Sequence, residues 1–314
     1  MIDDKHVISS LVQDERDLER LTRFLAQVQA RDPDHCHWHR GDLIWSRYQN
    51  LTFDPQQHVC YWQDAQGELL AFAWFAPYGT TIQVAPAAKE ETWLYNAILA
   101  WAEEHWQSAF AHEAERRNLW VHAFEDEVTF REALLEHGFQ QGEDCQLLVS
   151  QFLSADLSKP SIPAGWTIRP LSGEHEFIRR LEIEYACSQV AQSLEAYRQM
   201  RNAAGYLADL DLAVFDAENV MAGYVTLWFD PLSQSGCVEP LNIHPSAHRQ
   251  GAGRMLLQEG LYRLQEYGAT SVRVCPSAES EQAKSFYTAM GFIHRNADWY
   301  WFKPMREQSP DVVS

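Results

Sequence analysis

Two stretches of the chain alternate apolar and polar positions in the same way: "YWQDAQGELLAFAWFAP" from Tyr61 to Pro77, and "AVFDAENVMAGYVTLWFDP" from Ala213 to Pro231. In each, a short apolar run gives way to a polar turn and then a longer apolar run, the pattern of a β-hairpin. Shared landmarks keep a nearly constant offset: 152 residues from Asp64-Ala65 to Asp216-Ala217, 154 from Trp74-Phe75 to Trp228-Phe229, and 153 from Gly138-Phe139 to Gly291-Phe292. A register kept over that distance marks an internal repeat. Each copy predicts a strand, helices, the hairpin, a third strand closed by Pro86 or Pro245, a helix, a strand, a helix and a final apolar strand.

That order predicts an α+β fold layered αβα, with a central mixed, mostly antiparallel sheet flanked by helices in each half. The stretch "SADLSKPSIPAGW", residues 154 to 166, has the Ser, Pro and Gly density of a linker, and "WTIRPL" restarts a strand pattern. The expected division is a first domain over 1–153, a linker over 154–164, a second domain over 165–306 and a tail over 307–314.

In the second copy, "VEPLNIHPSAHRQGAGRMLL" from 238 to 257 joins an apolar strand to a glycine turn and an amphipathic helix. Leu257, Leu261 and Leu264 follow helical spacing, and Gly268 suits a left-handed cap. The first amides of such a helix have no intrahelical acceptor, and the helix dipole adds partial positive charge, so the turn can hold an anion. It is neither a Rossmann fingerprint, which needs a glycine where Leu256 stands, nor a Walker turn, since Arg254-Met255 follows the second glycine.

The stretch "HRQGAGRMLL" resembles motif A of the GNAT superfamily of N-acetyltransferases, Gln/Arg-x-x-Gly-x-Gly/Ala, with matches at Gly251 and Gly253 and a departure at His248. About forty residues on, "SEQAKSFYTAMGF" resembles the family's Asn-x-x-Ala followed by Tyr-x-x-x-Gly-Phe, through Ala283, Tyr287, Gly291 and Phe292, with Ser280 in place of the Asn. The likeness covers residues 165 to 305, and the repeat extends it in weaker form to the first half. The tandem plan, with one worn copy, is similar to that of the mycothiol synthases.

The resemblance implies that acetyl-coenzyme A is the acetyl donor, bound by Leu241, Ile243, His248, Arg249, Gln250, Gly251, Ala252, Gly253, Arg254, Ser280, Ala283 and Tyr287. It implies direct transfer to an amine in a ternary complex. It also implies a bulged fourth strand, which Pro240 suits, with the Ile243 amide as oxyanion donor and Tyr287 as the acid that protonates the departing thiolate.

Acetyl transfer needs a neutral amine, and Glu239 is the one charge within "CVEPLNI", where partial burial would raise its pKa and suit it to accept an ammonium proton. The alternative is a strand-edge carboxylate paired with an arginine. Cys237 lies on the same face by alternation, as a candidate nucleophile or, with no histidine fixed beside it, a small buried hydrophobe. The first copy lacks these groups: "AAKEETWLYNAIL" puts Glu90 and Glu91 at the turn, and Leu134 stands at the tyrosine position. Carboxylates there would repel a pyrophosphate, so this half is not expected to bind the donor.

Composition narrows the partners. Over 314 residues, 44 Asp and Glu against 25 Lys and Arg leave a net charge of -19, which disfavours nucleic acid and anionic lipid surfaces. The expected acceptor is a small-molecule amine, with a peptide amine, or a non-catalytic acyl-coenzyme A sensor, as the alternatives. The charged start "MIDDKHVISS" and the lack of a long apolar run predict a cytoplasmic protein with no membrane contact. Six scattered cysteines read as reduced thiols. The His35-Cys36-His37-His39 cluster has no second ligand pair, so it reads as a polar loop near the domain interface and no metal is expected.

Overall fold

The computed structural model describes residues 7–306, apart from 50, 77–78, 111–112, 114–115, 155–156 and 190. Pro77 of the first hairpin and the expected tail over 307–314 lie outside the described residues.

The first repeat supplies β1 (Ile8–Leu11), α1 (Glu15–Arg31), α2 (Arg40–Gln49), α3 (Pro55–His58), the hairpin β2 (Val59–Gln63) and β3 (Leu69–Ala76), β4 (Gly79–Val84), α4 (Thr92–Phe110), β5 (Asn118–Phe124), α5 (Val128–Glu136) and β6 (Gln140–Phe152). The second supplies β7 (Thr167–Pro170), α6 (Glu174–Ser188), α7 (Leu194–Arg201), the hairpin β8 (Asp211–Phe215) and β9 (Met221–Asp230), β10 (Ser235–Ile243), α8 (Ala252–Glu266), β11 (Ser271–Val274), α9 (Glu281–Ala289) and β12 (Ile293–Pro304). The local signals behave as their chemistry requires. Asp14 caps α1 by accepting from the amides of Arg16 and Asp17, and Leu18, Leu21, Leu25 and Val28 bury one face.

Among the described residues, all twelve strands form one sheet in the order β1-β2-β3-β4-β5-β12-β6-β11-β10-β9-β8-β7. Only β4 with β5 and β10 with β11 run parallel; the other neighbours are antiparallel. The order reads the same from either end if strand n of the first repeat is matched to its copy in the second, so the halves are related by a pseudo-twofold axis.

The last strands are exchanged. β6, from the first repeat, lies between β11 and β12; β12, from the second, lies between β5 and β6. The linker over 154–164 separates the repeats along the chain, whereas in space each half of the sheet is completed by the other's final strand.

Helices cover both faces of each half. In the first, α4 and α5 bury one core with Trp106 and Phe130, while α1 packs on the other face around Phe72 and Trp74. In the second, α8 buries Leu256, Leu257 and Leu264, and α6 and α7 cover the opposite face. The α2 helix belongs to the first repeat but sends Ile44 and Trp45 into that last core, beside Tyr197, Tyr224 and Trp228.

Candidate functional site

β10 separates from its parallel neighbour part-way along. Its pairing with β11 is confined to Ser235–Cys237 against Ser271–Arg273. Its pairing with β9 then slips between Val238 and Leu241. The slip falls at Glu239-Pro240, which are joined by a cis peptide. Proline has no N–H for a ladder, so the strand bulges where the family resemblance implies it. Past the bulge the His244 amide donates to the Ala222 carbonyl at 2.9 Å. Strand alternation therefore turns the backbone groups of Leu241 and Ile243 away from β9, towards the open side. The Ile243 carbonyl is met there by the Cys187 thiol at 3.3 Å and His248 Nε2 at 2.9 Å.

The glycine turn follows. Arg249 and Gly251 both take positive φ, 63° and 85°, so the chain reverses through two left-handed residues before α8. The first is unusual for arginine and the second is what glycine permits at low cost. No side chain caps α8. Arg249 and Arg254 are exposed, and neither forms an ion pair among the described residues. Open amides, a helix dipole and two uncommitted guanidinium groups fit a pyrophosphate. Gly253 lies against Ile243 and Phe286, where an added Cβ would sit 3.4 Å from the Ile243 side chain. Ser280 caps α9, its hydroxyl accepting from the Ala283 amide at 3.2 Å.

Ionisable groups face each other across the opening. Glu239 is half-buried, and burial, with the Asp42 and Glu184 carboxylates next, pushes it up to about 8. Its carbonyl accepts from Trp228 Nε1 at 2.8 Å, which fixes the bulge. Tyr287 is buried, and its phenol is held above the usual tyrosine range by burial and by Glu239, Cys237 and Cys275. The Cys237 thiol is buried and raised well above its ordinary range, and it donates to Asp42 at 3.6 Å. A thiol in that setting stays protonated, which suits the buried-hydrophobe reading. Among the described residues, no arginine is paired with Glu239, unlike the strand-edge alternative for that carboxylate.

The structure also brings in residues that the sequence does not point to. Asp42 comes from α2, 195 residues from Cys237. Glu184 of α6 is raised by burial although Arg180 donates to it at 2.9 Å. Arg180 is fully buried between the rings of Tyr197 and Tyr224, 4.4 and 4.2 Å from their centroids. "RGDLIW" reads only as a helix start, and no periodicity links it to a strand in the other repeat.

Trp228 and Phe229 face opposite sides of β9. Trp228 packs beside α2, and half-buried Phe229 packs on the α8 side near Tyr267. In the first repeat, buried Leu134 stands at the tyrosine position, and buried Thr80 lies six residues before Pro86, as Glu239 does before Pro245. Glu90 accepts from Thr129 at 3.0 Å, and Glu91 from the Trp93 indole at 2.9 Å, just ahead of α4. That end of the helix carries carboxylates instead of open glycine amides.

The histidine cluster belongs to the seam between the repeats. His35 meets Asp32 at 2.7 Å and Asp126 at 2.9 Å. His37 lies 3.2 Å from Asp298 and 3.1 Å from Glu127. Burial opposes its charge, yet the two carboxylates raise it to about 10. Arg273 of β11 donates to the carbonyls of Cys36 and His37. Among the described residues, no group of three or more His, Cys, Asp or Glu is placed to hold a metal.

An opened parallel pair and a bare glycine turn at a helix start thus lie together in the second repeat, with Glu239 and Tyr287 beside them. Residues 176–292, within the second repeat, match the acetyltransferase (GNAT) family, and the strand order gives the first repeat the same fold. No curated protein matches the sequence. Among solved structures, the chain is similar to a GCN5-related N-acetyltransferase from Sphaerobacter thermophilus, with TM-score 0.69 and 17% identity over 98% of each chain. It is also similar to a tandem GNAT protein from the clavulanic acid biosynthesis pathway, with TM-score 0.67 and 14% identity over 96% of this chain and 100% of that one. A putative acetyltransferase from Pyrococcus horikoshii matches with TM-score 0.53 and 11% identity over 97% of this chain and 91% of that one. At these identities the likeness is one of fold. No helix among the described residues is long and apolar enough to cross a membrane.

Proposed function

We propose that the protein transfers an acetyl group from acetyl-coenzyme A to the primary amine of a small molecule, in one site in its second half. The observation that carries this reading is Glu239, a carboxyl with a pKa of about 8, across an opened strand pair from Tyr287. Near neutral pH such a carboxyl exchanges protons readily. Bound donor supplies the thioester. Arg249, Arg254 and the amides of Gly251, Ala252 and Gly253 hold its pyrophosphate, and Leu241 and Ile243 present backbone groups along the opening.

Glu239 takes one proton from the ammonium acceptor and leaves a neutral amine. The amine nitrogen then forms a bond to the thioester carbonyl carbon, and the Ile243 amide stabilises the oxyanion. As the carbon–sulfur bond breaks, Tyr287 gives its proton to the thiolate, and the second proton, lost from the attacking nitrogen, passes through water to restore the phenol. The net acidity of the chain favours encounter with a cationic acceptor.

Calorimetric titration with acetyl-coenzyme A, followed by acetylation assays on an amine panel, tests the reading. One donor per chain is expected, lost in Gly251→Glu, and retained in Glu239→Gln and Tyr287→Phe while turnover falls by ~10²-fold or more. Binding without acetylation of any small amine or peptide would leave a sensor as the better account, and two donors per chain would contradict a worn first half.

A further inference from the structure

α2 is the only helix of the first repeat, among the described residues, that sends side chains into the core covering the far face of β9 and β10. Its first turn is fixed there without slack. A Cβ on Gly41 would lie 2.2 Å from Cγ of Trp228, so only glycine lets the helix backbone come this close to the indole. That same indole donates to the Glu239 carbonyl at 2.8 Å. One residue after Gly41, Asp42 accepts from the His39 amide at 2.7 Å through one oxygen and from the Cys237 thiol at 3.6 Å through the other. The carboxylate is thus anchored from both sides, next to the strand that carries Glu239.

We propose that Asp42 is a positioning residue for Glu239: the first repeat, worn as a donor-binding unit, contributes a fixed carboxylate to the site of the second. This rests on the reading of Glu239 as the proton acceptor. The groups acting on Glu239 come from several elements. Asp42 of α2 is the strongest charge on it, ahead of Glu184 of α6. Tyr287 of α9 and Cys237 of β10 feel its charge in turn. On β11, Arg273 opposes the burial of Asp42 and keeps its carboxyl lower than burial alone would, and Cys275 lies near Tyr287. With Asp42 against Cys237, two residues before Glu239 on the same strand, the two carboxyls do not both ionise freely. Two donors and a guanidinium favour charge on Asp42 against the burial that raises its carboxyl, whereas no side chain among the described residues holds Glu239, so Glu239 is the one that takes the proton. Sequence order alone would assign every working group to one repeat; the geometry divides them between two.

The test is a ¹³C NMR titration of the Glu239 carboxyl in the full chain labelled at glutamate carboxyls, with the resonance assigned by its loss in Glu239→Gln. In Asp42→Asn the midpoint is expected to fall by ~1 pH unit or more, and in Asp42→Glu to stay near that of the parent. A midpoint unchanged in Asp42→Asn overturns the proposal. Should that variant fail to fold, the Glu239 midpoint is read instead in Asp42→Ser, whose neutral hydroxyl can still accept from the His39 amide, and a midpoint that does not fall there is equally decisive. Neither titration needs an acceptor or turnover. Absence of acetylation would sink the reading of the reaction while leaving this measurement free to stand or fall by itself.

Discussion

Trp301, near the end of the second repeat, pairs in register with Val121 of the first and is buried in the first repeat's core. Val149 of β6 makes the reciprocal move, paired with Val274 and packed in the second repeat's core. Cutting the chain in the linker would strip each half of the strand that closes its sheet and expose two unpaired edges. A single cooperative transition is therefore expected in calorimetry of the intact chain. Residues 1–160 and 161–314 expressed apart should be insoluble or unfolded, and should recover a folded complex when co-expressed. Two independent transitions, or two folded halves, would contradict the exchange.

Glu239 sets a conflict between stability and activity. Its folded pKa of about 8 exceeds the ordinary 4.5, so the folded state holds the extra proton between those values and stability falls as pH rises through that window. Glu239→Gln removes the charge. It should raise stability relative to the parent at pH 8 and above by about 1–2 kcal/mol, discounted for the group's partial exposure, have little effect below pH 4.5, and abolish turnover. A variant less stable than the parent at pH 8 would mean that the carboxylate is satisfied where it lies.

His37 works in the opposite sense. Its folded pKa of about 10 lies above the ordinary 6.5, so its contribution is full below pH 6.5, erodes as pH rises, and is gone above pH 10. Replacing it by Phe leaves Asp298 and Glu127 facing each other without a cation. The expected cost near neutral pH is ~3–5 kcal/mol, with Tm lower by roughly 10 °C. The gap between parent and variant should close towards pH 10; a gap independent of pH would assign the loss to packing against Phe124.

The hairpins, the glycine turn and the bulge at Pro240 are legible because each is written within a few consecutive residues. Gly251 and Pro240 carry their backbone constraints with them, and apolar alternation places β2, β3, β8 and β9. The strand exchange leaves no such mark. β6 and β12 are apolar runs after Gly-Phe in either arrangement, since a strand's pattern says which face is buried and not which neighbour it takes. Asp42 and His37 fall in the same blind spot. The stretch "DPDHCHWHR" reads as loop chemistry, and only the fold shows Asp298 and Glu127 on either side of His37 and Cys237 beside Asp42.

Tyr287 separates packing from chemistry most cleanly. Its ring sits 5.1 Å from that of Phe286 and 5.3 Å from that of Phe292, so Tyr287→Phe keeps every aromatic contact and removes only the hydroxyl. Tm and donor affinity should stay within error of the parent. If the phenol protonates the departing thiolate, kcat falls by ~10²-fold or more. Burial and the nearby Glu239 hold the phenol above its ordinary value of 10, so it still carries its proton when Glu239 ionises. The pH–rate profile of the parent should therefore rise through a midpoint near 8 and remain level to about pH 10. A profile that turned down between 8 and 10, or a Phe variant with full kcat, would move the acid to another group and leave Tyr287 as a packing residue.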